Sequence, residues 1–257
     1  MTTWVFLRGL TRESRHWGTL PQRWELAGLG RPVLVDLPGN GTLAAVAVPA
    51  SVAGMVSVVR QQLSDAGRQP PYRILAMSLG AMVAASWAQA LPEEIAALVL
   101  VNTSMRPYSH AAQRLRPANW PALAGVAWRW TDRSHCERVI HRLTCARADT
   151  QDADIRSWME IAASAPVSRT SALRQLLAAA RFRADALAPR CPTLLLSSAA
   201  DRLVNPVCSA RIAQAWAAPL LQHPWAGHDL PHDDPQWLCE AVSRMNTVTA
   251  DMATMSR

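Results

Sequence analysis

A serine, an aspartate and a histidine, far apart in sequence but each at the end of an apolar run, are the residues of this chain best suited to chemistry. Ser78 lies in YRILAMSLGAMVAAS, where one apolar run gives way to another at Ser78-Leu79-Gly80. Asp201 follows LLLSSAA, and His228 follows LLQHPWAG. A hydroxyl is a poor nucleophile until a base takes its proton, and an imidazole serves as that base when a carboxylate orients it. The three types could therefore carry out acyl transfer, with Ser78 attacking a carbonyl, His228 moving the proton and Asp201 holding the imidazole. Each also has a plainer reading alone: Ser78 as a helix cap, Asp201 as a surface turn residue, His228 as a hydrogen-bonded loop histidine.

Bringing these residues together requires that the runs before them be strands of one sheet. TWVFL, RPVLVDLPGNG, YRILAM, IAALVLVN, CPTLLLSS and PLLQHP are short, apolar and without alternation. SVAGMVSVVRQQL has helical apolar spacing, and a helix is predicted from Leu79 to about Leu91, closed by Pro92. Unalternating apolar runs separated by helices predict an α/β fold, a mostly parallel sheet covered on both faces. Ser78 then occupies the turn between a strand and a helix. Ala76 and Gly80 are small enough for those two elements to approach closely, and the helix points its positive amino end at the hydroxyl.

The rhythm breaks after residue 103. Patterns such as SHCERVIHRLTCA and TSALRQLLAAARF are helical, and no strand is evident up to Arg190. We read residues 1–103 as the first part of a core, 104–187 as a helical cap over the carboxyl ends of the strands, 188–246 as the second part of the core, and 247–257 as a polar tail expected to fray. The cap's Trp120, Trp128, Trp130 and Trp158 could line an acyl pocket or form the cap's own small core.

At 257 residues, half of them hydrophobic, the chain can bury a sizeable core. No apolar run approaches the roughly 20 residues of a membrane span, and the amino terminus does not read as a signal peptide, so a cytoplasmic location is expected. Cys136, Cys145, Cys191, Cys208 and Cys239 are odd in number and without a CxxC pair, so they read as reduced, buried residues and not as a disulfide or zinc framework. DLPGNG has glycines but no GxxxxGK spacing, so it reads as a turn and not a phosphate loop. No basic-aromatic pattern suggests nucleic acid. His16 and His223 read as structural. His232-Asp233-Asp234 reads as the approach to a helix, with Asp234 as its cap and Pro235 at the first helical position. No metal or cofactor is expected.

The order serine, acid, histidine, each after a strand, is the order expected of α/β-hydrolase-fold enzymes. With LRGL after the first strand, VDLPGNG after the second, the Ser78 turn, AADRLVNP and AGHDLPHDDP, the chain resembles serine carboxylesterases of that fold over nearly its whole length. It is most similar to small capped bacterial esterases, including those that cleave pimeloyl-acyl-carrier-protein methyl ester. The resemblance implies a carboxylic ester hydrolase with an oxyanion hole from the backbone N–H groups of Leu10 and Leu79. The family usually has His-Gly where this chain has Arg8-Gly9, and the larger family carries two further strands before the first that this sequence is expected to lack. Thioester hydrolysis, C–C bond hydrolysis and a non-catalytic binding role on the same fold remain open alternatives.

Charge adds one more expectation. There is no lysine, so all 26 basic residues are arginine, and the net charge is +7. From Ser104 to Leu187 there are thirteen arginines and seven acids, a net of +6. Arg133, Arg138, Arg142 and Arg147 cluster there. Arg138 and Arg142 share a helix face by their spacing, and form a candidate docking surface for an acidic partner such as acyl carrier protein. A solvated arginine face is the plainer reading.

Overall fold

The computed structural model describes the backbone of residues 3–255 and the side chains of residues 3–245. Six strands form one parallel sheet: β1 (Thr3–Leu7), β2 (Val33–Val35), β3 (Tyr72–Met77), β4 (Ile95–Val101), β5 (Thr193–Ser198) and β6 (Leu220–His223), in the order β2-β1-β3-β4-β5-β6. All six coincide with the apolar runs that predict them.

Within the inner strands the side chains sort by parity. Val5, Leu7, Ile74, Ala76, Leu98, Leu100 and Leu195 enter one buried cluster, while Trp4, Phe6, Leu75, Met77, Val99, Val101, Leu194 and Leu196 enter another. Both faces are therefore buried, which is why the strands read as continuous apolar runs. The helices of the first half are α1 (Leu20–Leu26), α2 (Val52–Asp65) and α3 (Leu79–Ala90). Between β4 and β5 lie α4 (Ala111–Arg114), α5 (Trp120–Trp128), α6 (Arg133–Thr144), α7 (Gln151–Ser164) and α8 (Arg169–Arg181). The chain ends with α9 (Val207–Trp216), α10 (Leu230–Asp233) and α11 (Pro235–Met255). Helices α2, α3 and α9 cover the first face, and α1 and α11 the second.

The chain runs outward from β1 to β2, then crosses back to β3 and continues to β6. That reversal leaves a switch point between β1 and β3, and in open α/β sheets ligands bind outside the carboxyl ends of strands at such a point. VDLPGNG closes as a turn, with Asp36 accepting hydrogen bonds from Ser14 and Thr42.

Two readings are met in part. Residues 247–255, read as a polar tail, continue α11 to Met255, and no glycine or proline from Asn246 onward stops the helix; residues 256 and 257 lie outside the described residues. The cap tryptophans do not act as a set. Trp158 is buried and Trp130 packs against Val126, Cys136, Val139 and Leu143, but Trp120 and Trp128 are exposed. Among the described residues, no helix is long and apolar enough to cross a membrane.

Candidate active site

Residue Ser78 sits between β3 and α3 with φ +53° and ψ −116°, a left-handed conformation that costs a non-glycine residue about 1–3 kcal/mol. The turn is held from several sides. Its N–H donates to the Val101 carbonyl at 3.0 Å, and its carbonyl accepts from Thr103 Oγ1 at 3.0 Å. Gly80 explains how α3 can leave so abruptly: a Cβ there would lie 2.5 Å from the carbonyl oxygens of both Leu7 and Arg8. Only a residue without a side chain lets the helix start against the end of β1.

The β1–β3 register pairs Leu7 with Ala76. Carried two residues further, it sets Gly9 beside Ser78, and a Cβ built on Gly9 would lie 3.1 Å from Ser78 Cβ and 3.6 Å from Oγ. Leu10 follows directly on that loop. Leu79 is the first residue of α3, where helix geometry leaves the N–H without an intrahelical partner. Both proposed oxyanion donors thus belong to the two segments that meet at Ser78.

Beyond β5 and β6 the structure joins Asp201 to His228. His228 Nδ1 lies 2.7 Å from Asp201 Oδ2, and both side chains are buried. An ionised carboxylate only accepts, so Nδ1 carries the proton and Nε2 is left as the acceptor. The other oxygen of Asp201 accepts the N–H groups of Leu203 and Val204 at 2.8 and 2.9 Å. A carboxylate held by three donors keeps its ring partner in one orientation.

Several contributors escape a reading of the sequence. Asn102, in a left-handed conformation just past β4, donates from Nδ2 to the His228 carbonyl at 2.8 Å and to Ser198 Oγ at 2.9 Å. Arg8 makes a buried two-pronged contact with Asp229, 3.0 Å to Oδ1 and 2.6 Å to Oδ2, and its guanidinium lies 4.8 Å from the centre of the Trp17 ring. Burial alone would raise the Asp229 carboxyl pKa, but the charge and hydrogen bonds of Arg8 outweigh it and hold the group well below the usual carboxylate range. The residue before Gly9 is thereby bonded to the residue after His228. Asp233 accepts the N–H groups of Gly227, Ala146 and Arg147. No spacing in the sequence marks the Arg8–Asp229, Asn102–His228 and Asp233–Ala146 pairs, because each joins segments far apart in the chain.

The helices between β4 and β5 reach this end of the sheet. Gln175 of α8 is fully buried; its Oε1 accepts the Thr11 N–H at 2.9 Å, and its Nε2 donates to Pro38 O and Asn40 Oδ1 at 2.9 Å each. Arg12 pairs with Glu137 of α6 at 2.8 Å. His16 is buried and accepts the Glu13 N–H; burial first, then the charges of Arg12 and Arg8, push its pKa well below the ordinary histidine value. It belongs to the packing, as does His223, which accepts the Ala226 N–H. Asp234 accepts the Trp237 N–H and so caps α11. Arg138 and Arg142 are exposed on α6, whereas Arg133 pairs with Glu137 and Arg147 with Asp149. A cavity of about 520 Å³ near Cys191, Trp216 and Pro219 sits by the amino ends of β5 and β6, away from Ser78.

Comparison with known proteins identifies the family and the fold. The Alpha/beta hydrolase family matches residues 4–241. The chain is 30% identical to a protein named "Putative carbamate hydrolase RutD" from Klebsiella pneumoniae (strain 342), over 96% of this chain and 94% of that one. An esterase from Thermogutta terrifontis superposes with a TM-score of 0.74 at 22% identity, covering 96% of this chain and 90% of that chain. The esterase EaEST from Exiguobacterium antarcticum superposes with a TM-score of 0.76 at 14% identity, covering 95% and 91%. At these identities the two structures establish a shared fold.

Proposed function

The chain belongs to the alpha/beta hydrolase family, and from that premise we propose that it is a serine hydrolase that cleaves a carboxylic ester through an acyl-enzyme on Ser78. The observation that carries this reading is the Asp201–His228 hydrogen bond, 2.7 Å long and buried, at the sheet end where Ser78 is held in a left-handed turn beside Gly9.

In the proposed reaction Ser78 Oγ attacks the acyl carbonyl as His228 Nε2 takes its proton. The carbonyl oxygen becomes an anion accepted by the N–H groups of Leu10 and Leu79. His228 then protonates the departing alcohol, and in the second half it takes a proton from water, whose oxygen attacks the acyl carbon, and returns that proton to Ser78 Oγ as the acyl group leaves as the acid. Asp201 stays ionised and steadies the imidazolium. Every proton moves between side chain, substrate and water, so the cycle closes without a redox partner.

A second reading keeps the same residues and changes the leaving group. The 30% identical relative is named for carbamate hydrolysis; from a carbamate or amide the nitrogen would leave as an amine or ammonia after protonation by His228, while the carbonyl part stays on Ser78 until water releases it. A carrier-linked acyl ester is the finer form of the first reading, supported by the arginines of α6. A chain-length series of p-nitrophenyl esters, run beside carbamate substrates with ammonia release as the readout, separates the leaving groups.

Replacement of the nucleophile tests both readings together. We expect Ser78→Ala to lose hydrolysis by on the order of a millionfold while keeping the wild-type circular dichroism. An organophosphonate should label wild type and spare the variant. Retention of more than about one part in a hundred of the activity, against the millionfold norm, would remove Ser78 from the mechanism.

A further inference from the structure

A second group of reactive side chains lies at the junction of the inserted helices with the core, and ester cleavage makes no use of it. His141 of α6 and His232 of α10 each place Nε2 3.0 Å from the same oxygen, Oδ2 of Asp154 in α7. Cys145, just past α6, is buried, and ligand atoms of His141, Cys145 and His232 lie within 4.8 Å of one another. Trp158 walls the cluster, its ring centre 5.3 Å from that of His141 and 5.8 Å from that of His232.

We propose that His141, Cys145, Asp154 and His232 form a binding site for a divalent cation of the zinc class. The donor set is one sulfur, two imidazole nitrogens and one carboxylate oxygen, a mixture that suits zinc and excludes the oxygen-seeking calcium and magnesium ions. A thiolate and a carboxylate balance the two positive charges, which matters where His141 is 2% and Asp154 15% exposed at the side chain. Each histidine already stands as close to Asp154 as two ligands of one ion do. Bonds of about 2.0–2.3 Å place tetrahedral ligand atoms roughly 3.3–3.8 Å apart, so the ligand atoms of His141, Cys145 and His232, which lie within 4.8 Å of one another, close in by an ångström or so at most on binding.

Hydrogen bonding alone serves this cluster less well. Asp154 Oδ2 also accepts Thr150 Oγ1 at 2.6 Å, so one oxygen has three donors around it. On binding, each imidazole keeps its proton on Nδ1 and turns the Nε2 lone pair to the ion, while the thiol proton passes to solvent. Four protein ligands fill a tetrahedral shell, which makes the site structural and leaves no open position for substrate or water. The ion would tie α6 and α7 to α10, the helix that begins two residues after His228. The site does not depend on Ser78 being a nucleophile.

Metal-stripped full-length protein titrated with cobalt chloride tests the proposal, since tetrahedral cobalt bound to thiolate absorbs in the near ultraviolet. We expect the band to saturate at about one ion per chain, zinc chloride to abolish it by displacement, and Cys145→Ala to lack it. Cys239→Ala, which removes a buried cysteine of the core, should keep it. Zinc should also raise the melting temperature of wild type and leave that of His232→Ala unchanged. If Cys145→Ala fails the circular-dichroism check for folding, Cys145→Ser and His232→Ala carry the same readout. A folded wild type with no band, or a band that survives loss of the Cys145 thiol, overturns the site.

Discussion

The residues on either side of His228 and Gly9 do different work from the residues that would react. Arg8 and Asp229 touch no substrate in the proposed mechanism, yet their ion pair bonds the loop carrying Leu10 to the loop carrying His228. Removing one partner of a buried pair strands a charge away from water, at a cost of about 3–5 kcal/mol, whereas replacing both with apolar groups is far milder. We therefore expect Asp229→Ala and Arg8→Ala each to lower the urea midpoint sharply, and the double variant to lose much less than their sum. Surviving double variant should still show a reduced kcat, because the loops lose their tether. Additive losses would mean that the two residues act independently. The sign with pH follows from the depressed carboxyl: stabilisation is complete above the unfolded value of about 3.9 and is lost as pH falls through the lower folded value.

Among the elements, α3 depends on one close approach. An alanine at Gly80 would set its methyl 2.5 Å from two backbone carbonyl oxygens, which cannot rotate aside. The helix must back away from β1, and overpacking of this kind costs about 1–3 kcal/mol. Gly80→Ala should lose stability by that amount in chemical denaturation and lose activity by more, because Ser78 moves with the helix start. Gly125 in α5 gives the contrast. A methyl there meets nothing within 4 Å, so Gly125→Ala should gain roughly 0.5–1 kcal/mol. How far the elements can be read from sequence follows the same division. The six strands are legible because each is buried on both faces, and Ser78, Asp201 and His228 are legible because each follows one. Asn102, Gln175 and the Arg8–Asp229 pair are not, since their roles rest on loops that only the folded sheet brings together. Asp154 and His232 are 78 positions apart and share a site for the same reason.

At the scale of the whole molecule, the charge gathered between β4 and β5 divides into used and unused parts. Arg133 and Arg147 neutralise acids of their own neighbourhood, while Arg138 and Arg142 face solvent. If an acidic carrier delivers the acyl group, opposite charge should speed its arrival and the gain should fade with salt. Arg138→Glu with Arg142→Glu should then lower kcat/KM for a carrier-linked ester and leave a small neutral ester unchanged. Equal loss on both, or a carrier-linked rate indifferent to salt, would leave these arginines as a solvated face. A last consequence comes from Gln175, whose amide grips the Thr11 N–H on one side and Pro38 and Asn40 on the other. With the Arg12–Glu137 pair, that side chain ties the posture of the inserted helices to the loop beside Ser78. If an occupant of the site orders the loop, it must hold the helices down by the same amount that the docked helices strengthen its binding; the grip works in both directions with equal force.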